Sequence, residues 1–194
     1  NKLHLGFYLD GIKQEVWSFK DGVESAIKRW SNKAVELAEY FPAVDVVVRA
    51  LGHSELQVSG ADKPLDKLAL DLANTLGASY KPELIQKNRE LVKSTKISAA
   101  ERLAQVRGAY SVSSANISAP ESTKITFLIV DDVYTSGATT NEISRAISET
   151  YPEASIYIFT LVKTIFRTEA GKASAEMQHN TQLFSDLYDP VGRN

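Results

Sequence analysis

Apolar positions along the chain follow two periods. A short strand is predicted at residues 3–9, apolar runs predict strands at 44–51, 127–130 and 155–162, the first and last rich in β-branched residues, and alternation predicts one more, near a sheet edge, at 108–113. Between them, Val23, Ile27, Trp30, Ala34, Leu37 and Phe41 recur at helical spacing, and Pro42 ends that helix. Leu65, Leu68, Leu72 and Leu76 form one face of a second helix, with Gly77 as its C-cap. Ser98 and Glu101 have the spacing of a capping box, which opens a helix running to Arg107. A further helical spacing occupies residues 141–147. Asp10-Gly11 predicts a turn, and residues 12–19 a second strand or a short helix. Trp17 and Trp30 are expected in the core. Residues 78–96 show no clear period and 116–122 are a polar loop. The alternation of strands and helices predicts an α/β fold with a mostly parallel central sheet flanked by helices and a small hood or lid. We expect one domain: an N-terminal hood or strand-helix segment (1–42), a core (43–164) and a C-terminal cover (165–194).

Composition narrows the function classes. The chain has 194 residues and 43% hydrophobic content, enough for a real core in one domain. A net charge of −2 argues against a generic nucleic-acid surface. Without cysteine there is neither a disulfide nor a thiolate zinc site, which fits a cytoplasmic protein. His4, His53 and His179 are far apart, against a histidine-rich metal site. No apolar run reaches the ~18 residues a membrane span needs, and no signal-peptide pattern opens the chain. Walker and dinucleotide-binding glycine motifs are absent.

The chemistry concentrates at residues 127–140. Four apolar residues end in Asp131-Asp132, then Thr135-Ser136-Gly137-Ala138-Thr139-Thr140 leads into a helix. A helix N-terminus has unpaired N–H groups and the positive end of the dipole, so it holds an anion without needing a lysine. Small residues let the backbone approach, and Gly137 permits a φ other residues resist. The carboxylates suit sugar hydroxyls, or a metal bridging to phosphates. A second candidate anion loop, Arg49-Ala50-Leu51-Gly52, follows the strand at 44–51, since ligands sit at the carboxyl ends of strands in such sheets.

The run from Val130 to Thr140 resembles the phosphoribosyl-pyrophosphate (PRPP) signature of type I phosphoribosyltransferases. Within that group the chain is similar to ComF-like proteins, the competence-associated putative amidophosphoribosyltransferases. The further matching pieces are Phe7-Tyr8-Leu9-Asp10-Gly11 with Phe19-Lys20, Glu101-Arg102 with Gly108-Ala109-Tyr110, and Thr160-Leu161-Val162-Lys163-Thr164. The resemblance implies a transferase that moves phosphoribosyl from PRPP to a nitrogen nucleophile and releases pyrophosphate. It implies Mg²⁺ at Asp131 and Asp132 through PRPP or water, the 5′-phosphate on residues 135–140, and pyrophosphate at Arg49, Ala50, Leu51 and Gly52. It also implies a lid cation, Arg102, Lys93 or Arg89 in that order. A homodimer is compatible with it. The family's cysteine-rich zinc ribbon is missing. Thr135 stands where 6-oxopurine transferases carry an aspartate, which disfavours a hypoxanthine or guanine acceptor. The alternative is a non-catalytic PRPP or nucleotide sensor on the same fold, and a third reading is an interaction module with an inactive site.

Overall fold

The computed structural model describes residues 2–7, 10–60, 62–92, 98–113 and 124–164. Five parallel strands form one sheet in the order β1-β7-β6-β2-β3: β1 (Lys2–Phe7), β2 (Val46–Arg49), β3 (Ser79–Tyr80), β6 (Thr126–Tyr134) and β7 (Ser155–Lys163). The helices are α1 (Asp10–Lys20), α2 (Glu24–Glu36), α3 (Pro64–Leu76), α4 (Ala99–Val106) and α5 (Ala138–Thr150). A separate antiparallel pair, β4 (Ile85–Lys87) and β5 (Tyr110–Val112), stands beside the sheet. This is the mostly parallel, helix-flanked architecture expected from the alternation of patterns.

Period-two alternation assigns each strand residue to one of two cores. On one face Val47, Leu128, Val130, Phe159 and Leu161 pack with α1, α2 and α3. On the other, Val46, Val48, Phe127 and Ile129 pack with Ile143 and Ile147 of α5 and with the β4/β5 layer. Both faces of β2 and β6 are therefore apolar, as buried parallel strands require.

Several expectations are corrected. Asp10-Gly11 begins α1 instead of turning, because Val16 and Phe19 belong to one buried helical face. Trp17 lies off that face, half exposed, with the Lys13 ammonium over its ring; Trp30 is buried as expected. Of the hood or strand-helix segment expected at 1–42, the described residues form a strand followed by helices. β1 is an edge strand of the main sheet, paired with β7, because Leu5 buries against the core shared with α1 and α2. The hood-like layer comes instead from β4, α4 and β5. The expected cover at 165–194 and the loop at 116–122 lie outside the described residues. No described helix is long and apolar enough to cross a membrane.

One buried ionic cluster ties the sheet to α3. Arg49, the last residue of β2, is 2% exposed. It donates from Nε to Asp66 Oδ1 at 2.5 Å and from Nη2 to Asp66 Oδ2 at 3.3 Å. Asp66 also accepts from the Tyr80 hydroxyl at 2.5 Å and the Lys63 N–H at 3.2 Å. Burial works against the Arg49 charge, but the bonds to Glu55 and Asp66 outweigh it and hold the guanidinium ionised. Removing one partner of such a pair leaves an uncompensated buried charge. Asp66→Ala is expected to reduce unfolding free energy by about 3–5 kcal/mol in denaturant titration. A loss below about 1 kcal/mol, the scale of a surface pair, would refute the assigned role.

Candidate functional site

β6 is the sheet's axis and delivers two carboxylates to a cavity of about 560 Å³ at the carboxyl ends of the strands. Asp131 and Asp132 form part of its floor, with Thr135, Thr139 and Thr164. The loop 50–53 with Glu55 makes one wall. Leu91, Val92, Gln105, Val106 and Tyr110 of the hood-like layer make an apolar end.

The two carboxylates differ in surroundings. Asp132 meets the Lys20 ammonium, at the end of α1, at 3.0 Å. Asp131 accepts the Asp132 N–H at 2.9 Å. Burial pushes the Asp131 carboxyl well above the ordinary carboxylate range, and repulsion from Asp132 adds to it. That charge asks for a positive partner.

After β6 the chain turns through Thr135-Ser136-Gly137 into α5. Gly137 is the N-cap, at φ 74°, and no side chain caps the first turn, so the N–H groups there lack an internal side-chain acceptor. A side chain at Gly137 is doubly excluded. The φ is left-handed, and an added Cβ would fall within 2.6 Å of the Tyr134 ring. The Lys2 ammonium donates to the Tyr134 hydroxyl at 2.6 Å.

The structure brings most of the predicted site residues together. Asp131, Asp132, Thr135 and Thr139 line the cavity, as do Arg49, Ala50, Leu51 and Gly52. Ser136 is exposed at the turn, and Gly137 and Ala138 are buried. The Thr140 side chain turns inward, its hydroxyl donating to the Gly137 carbonyl at 3.3 Å, and it is buried instead of lining the cavity. The Arg49 guanidinium is held by Asp66 and Glu55, with a further bond to the Ala50 carbonyl at 3.0 Å. With Glu55 in place it braces the loop, its charge taken up by these two carboxylates. Arg89 is corrected. It donates to the Gln105 and Arg107 carbonyls at 3.0 and 2.8 Å, which closes the C-terminal end of α4. Lys93 and the side chain of Arg102 lie outside the described atoms.

Residues the sequence patterns did not single out for this site complete it. Lys63 meets Glu55 at 2.5 Å. Buried Lys87 donates to the carbonyls of Gly52 and His53 at 2.6 and 2.9 Å. Burial pulls its pKa down to about 8 against the pull of Glu55 and Glu90. Glu142 of α5 accepts the Gly108 N–H at 2.7 Å and pairs with Arg145, which donates to the Tyr110 carbonyl at 3.0 Å. Lys87 and Glu142 bond partners 34 or 35 residues away, so nothing local in the sequence marks them.

No family model matches the chain, and no curated protein does. Among solved structures it is similar to adenine phosphoribosyltransferase from Saccharomyces cerevisiae, at 18% identity over 73% of this chain and 70% of that one, TM-score 0.45. It is similar to the adenine phosphoribosyltransferase of Leishmania tarentolae at 12% identity over 76% and 74%, TM-score 0.46. A third is the Helicobacter pylori xanthine-guanine-hypoxanthine phosphoribosyltransferase, at 11% identity over 90% and 99%, TM-score 0.42.

Two expectations follow from this geometry. Gly137→Ala should reduce stability by at least ~1–2 kcal/mol, from the left-handed φ alone, and displace Tyr134. A circular-dichroism melt matching the parent protein's would contradict it. Because the folded state raises the Asp131 pKa, it binds that proton more tightly than the unfolded chain does. Stability from this group is present at acid pH and is lost as pH rises through the raised value. Melting temperatures of the parent chain should therefore fall relative to Asp131→Asn between about pH 4 and about pH 8. Parallel curves would show that the carboxyl is not perturbed.

Proposed function

We propose that the protein is a cytoplasmic, ComF-like phosphoribosyltransferase that uses PRPP as donor and a small nitrogen nucleophile as acceptor. The observation that carries this is the juxtaposition, across one cavity, of paired carboxylates at the end of β6 and an uncapped helix N-terminus one turn later. In this reading the 5′-phosphate accepts from the N–H groups at the start of α5 and from the hydroxyls of Thr135 and Thr139. Asp131 and Asp132 accept from the ribose hydroxyls. The bond from C1 to the pyrophosphate oxygen breaks with its electron pair going to pyrophosphate. The acceptor nitrogen supplies the new pair to C1, and its proton leaves to solvent or product. The chain contributes chiefly by positioning and charge stabilisation.

Mg²⁺ fits this site in a limited way. No group of three or more acidic or histidine ligands occurs among the described residues, so an all-protein cage is not what holds it. Asp131, whose charge is disfavoured by burial and by Asp132, suits an ion held through water or donor oxygens. Such an ion, when bound, offsets the charge of the leaving pyrophosphate. Lys20 offers a second positive charge from its place beside Asp132.

The second reading, a PRPP sensor without turnover, is favoured by one observation: the second anion loop is already filled by the chain's own Glu55. Turnover separates the two.

Mg-PRPP should raise the melting temperature progressively with concentration, corresponding to about 2.7 kcal/mol at a hundredfold excess over Kd. The double variant Asp131→Asn with Asp132→Asn should lose the shift, and its persistence would relocate the site. Pyrophosphate release across a panel of nitrogen acceptors then supports the transferase. A thermal shift without release from any of them supports the sensor.

A further inference from the structure

We propose that Glu55 is an internal anion occupying the subsite of the leaving pyrophosphate, and that the donor gains that subsite only by displacing it. The inference rests on the PRPP reading above.

The loop's anion-binding donors converge on this one carboxylate. Gly52 N–H donates to Glu55 Oε2 at 2.6 Å. Arg49 donates from Nη1 to Oε2 and from Nη2 to Oε1, both at 2.9 Å. Lys63 meets Oε1 at 2.5 Å from a half-exposed position on the cavity wall. The Glu55 side chain is 12% exposed. Burial would raise its pKa, yet the bonds from Arg49, Lys63 and Gly52 hold it at about 2, so it is an anion at any working pH. A carboxylate in this position stands in for a phosphoryl oxygen.

The arrangement is not needed to start a helix. Glu55 N–H donates back to the Gly52 carbonyl at 3.0 Å, the i+3 to i bond of a β-turn, while its carboxylate accepts the Gly52 N–H. No helix follows until α3 begins at Pro64. The pairing closes a loop in the cavity wall instead. Gly52 suits the role, since an added Cβ would sit 3.1 Å from the carboxylate oxygen.

The donors keep their aim without Glu55. Asp66 holds Arg49 through Nε, and Lys87 holds the carbonyls of Gly52 and His53 from the opposite side. Departure of Glu55 therefore leaves a preorganised cluster of Gly52 N–H, two Arg49 nitrogens and the Lys63 ammonium, with net positive charge. Two anions cannot share it, because one N–H serves one oxygen and like charges repel at that range. The parent chain's affinity for pyrophosphate is thus reduced by the fraction of molecules in which Glu55 has swung out.

The test is titration calorimetry with inorganic pyrophosphate on the full chain and on Glu55→Ala, Glu55→Gln and Lys63→Met. Glu55→Ala should bind about tenfold tighter or more, since no charge-assisted bond is given up. Glu55→Gln, which keeps the shape and the acceptor but not the charge, should fall between it and the parent chain. Lys63→Met should bind more weakly. Folded Glu55→Ala and Glu55→Gln proteins that bind no tighter than the parent chain would overturn the proposal. If Glu55→Ala does not fold, Glu55→Gln decides by the same criterion. The PRPP reading is checked apart from this by adding Asp131→Asn with Asp132→Asn to each Glu55 variant. The gain for pyrophosphate should survive there while the PRPP-induced thermal shift is lost. A PRPP shift that is normal in the parent chain, with no gain in the Glu55 variants, sinks the internal anion alone.

Discussion

The guanidinium of Arg49 is the constraint on which the ligand side of the molecule rests. It sits where β2 leaves the sheet, and it needs two carboxylates to be there at all. Asp66 belongs to the first turn of α3 and Glu55 to the intervening loop, so satisfying one buried charge fixes strand, loop and helix together. Tyr80 joins from β3 and, with its own hydroxyl committed to Asp66, is strongly disfavoured from ionising, first by burial. Few apolar contacts would specify this geometry so narrowly, because they lack direction, whereas a buried ion tolerates little misplacement.

The other side of the cavity obeys a different logic. β6 pairs on both sides, with β2 and with β7, and its backbone register is held over its length. Asp131 and Asp132 are held together at the end of that strand, and the Asp131 pKa is raised first by burial and then by repulsion from Asp132. Strand rigidity and the αL turn at Gly137 convert that unfavourable pairing into a site with a demand for positive charge beside a supply of N–H groups.

How much of this was legible depended on sequence distance. The stretch from Phe127 to Thr140 could be read because strand, carboxylates, turn and helix start are contiguous, and Gly77 and the Ser98–Glu101 box marked helix ends for the same local reason. Arg49 looked like a ligand cation because nothing near it in sequence shows Asp66 folding back, 17 residues on. Arg89 misled likewise, since the carbonyls it closes are 16 and 18 residues on, at the C-terminal end of α4. α1 was ambiguous because its buried side is short, and Trp17 looked like core only because tryptophan usually is. Of the β4/β5 layer, alternation marked β5 within 108–113, whereas β4, three residues in a stretch without a clear period, left no signal.

The strut from Glu142 and Arg145 to Gly108 and Tyr110 acts as a caliper. One jaw is α5, whose first turn lines the cavity, and the other is the apolar end of the cavity, and these bonds tie the two together. The span between them cannot widen by a hinge between α5 and β5 while those bonds hold. An occupant too long for the gap must be accommodated by the opposite wall, at the 50–56 loop and the end of α1. The fold thus holds one dimension of the cavity fixed and leaves the adjustable one on the side where Glu55 and Lys20 stand.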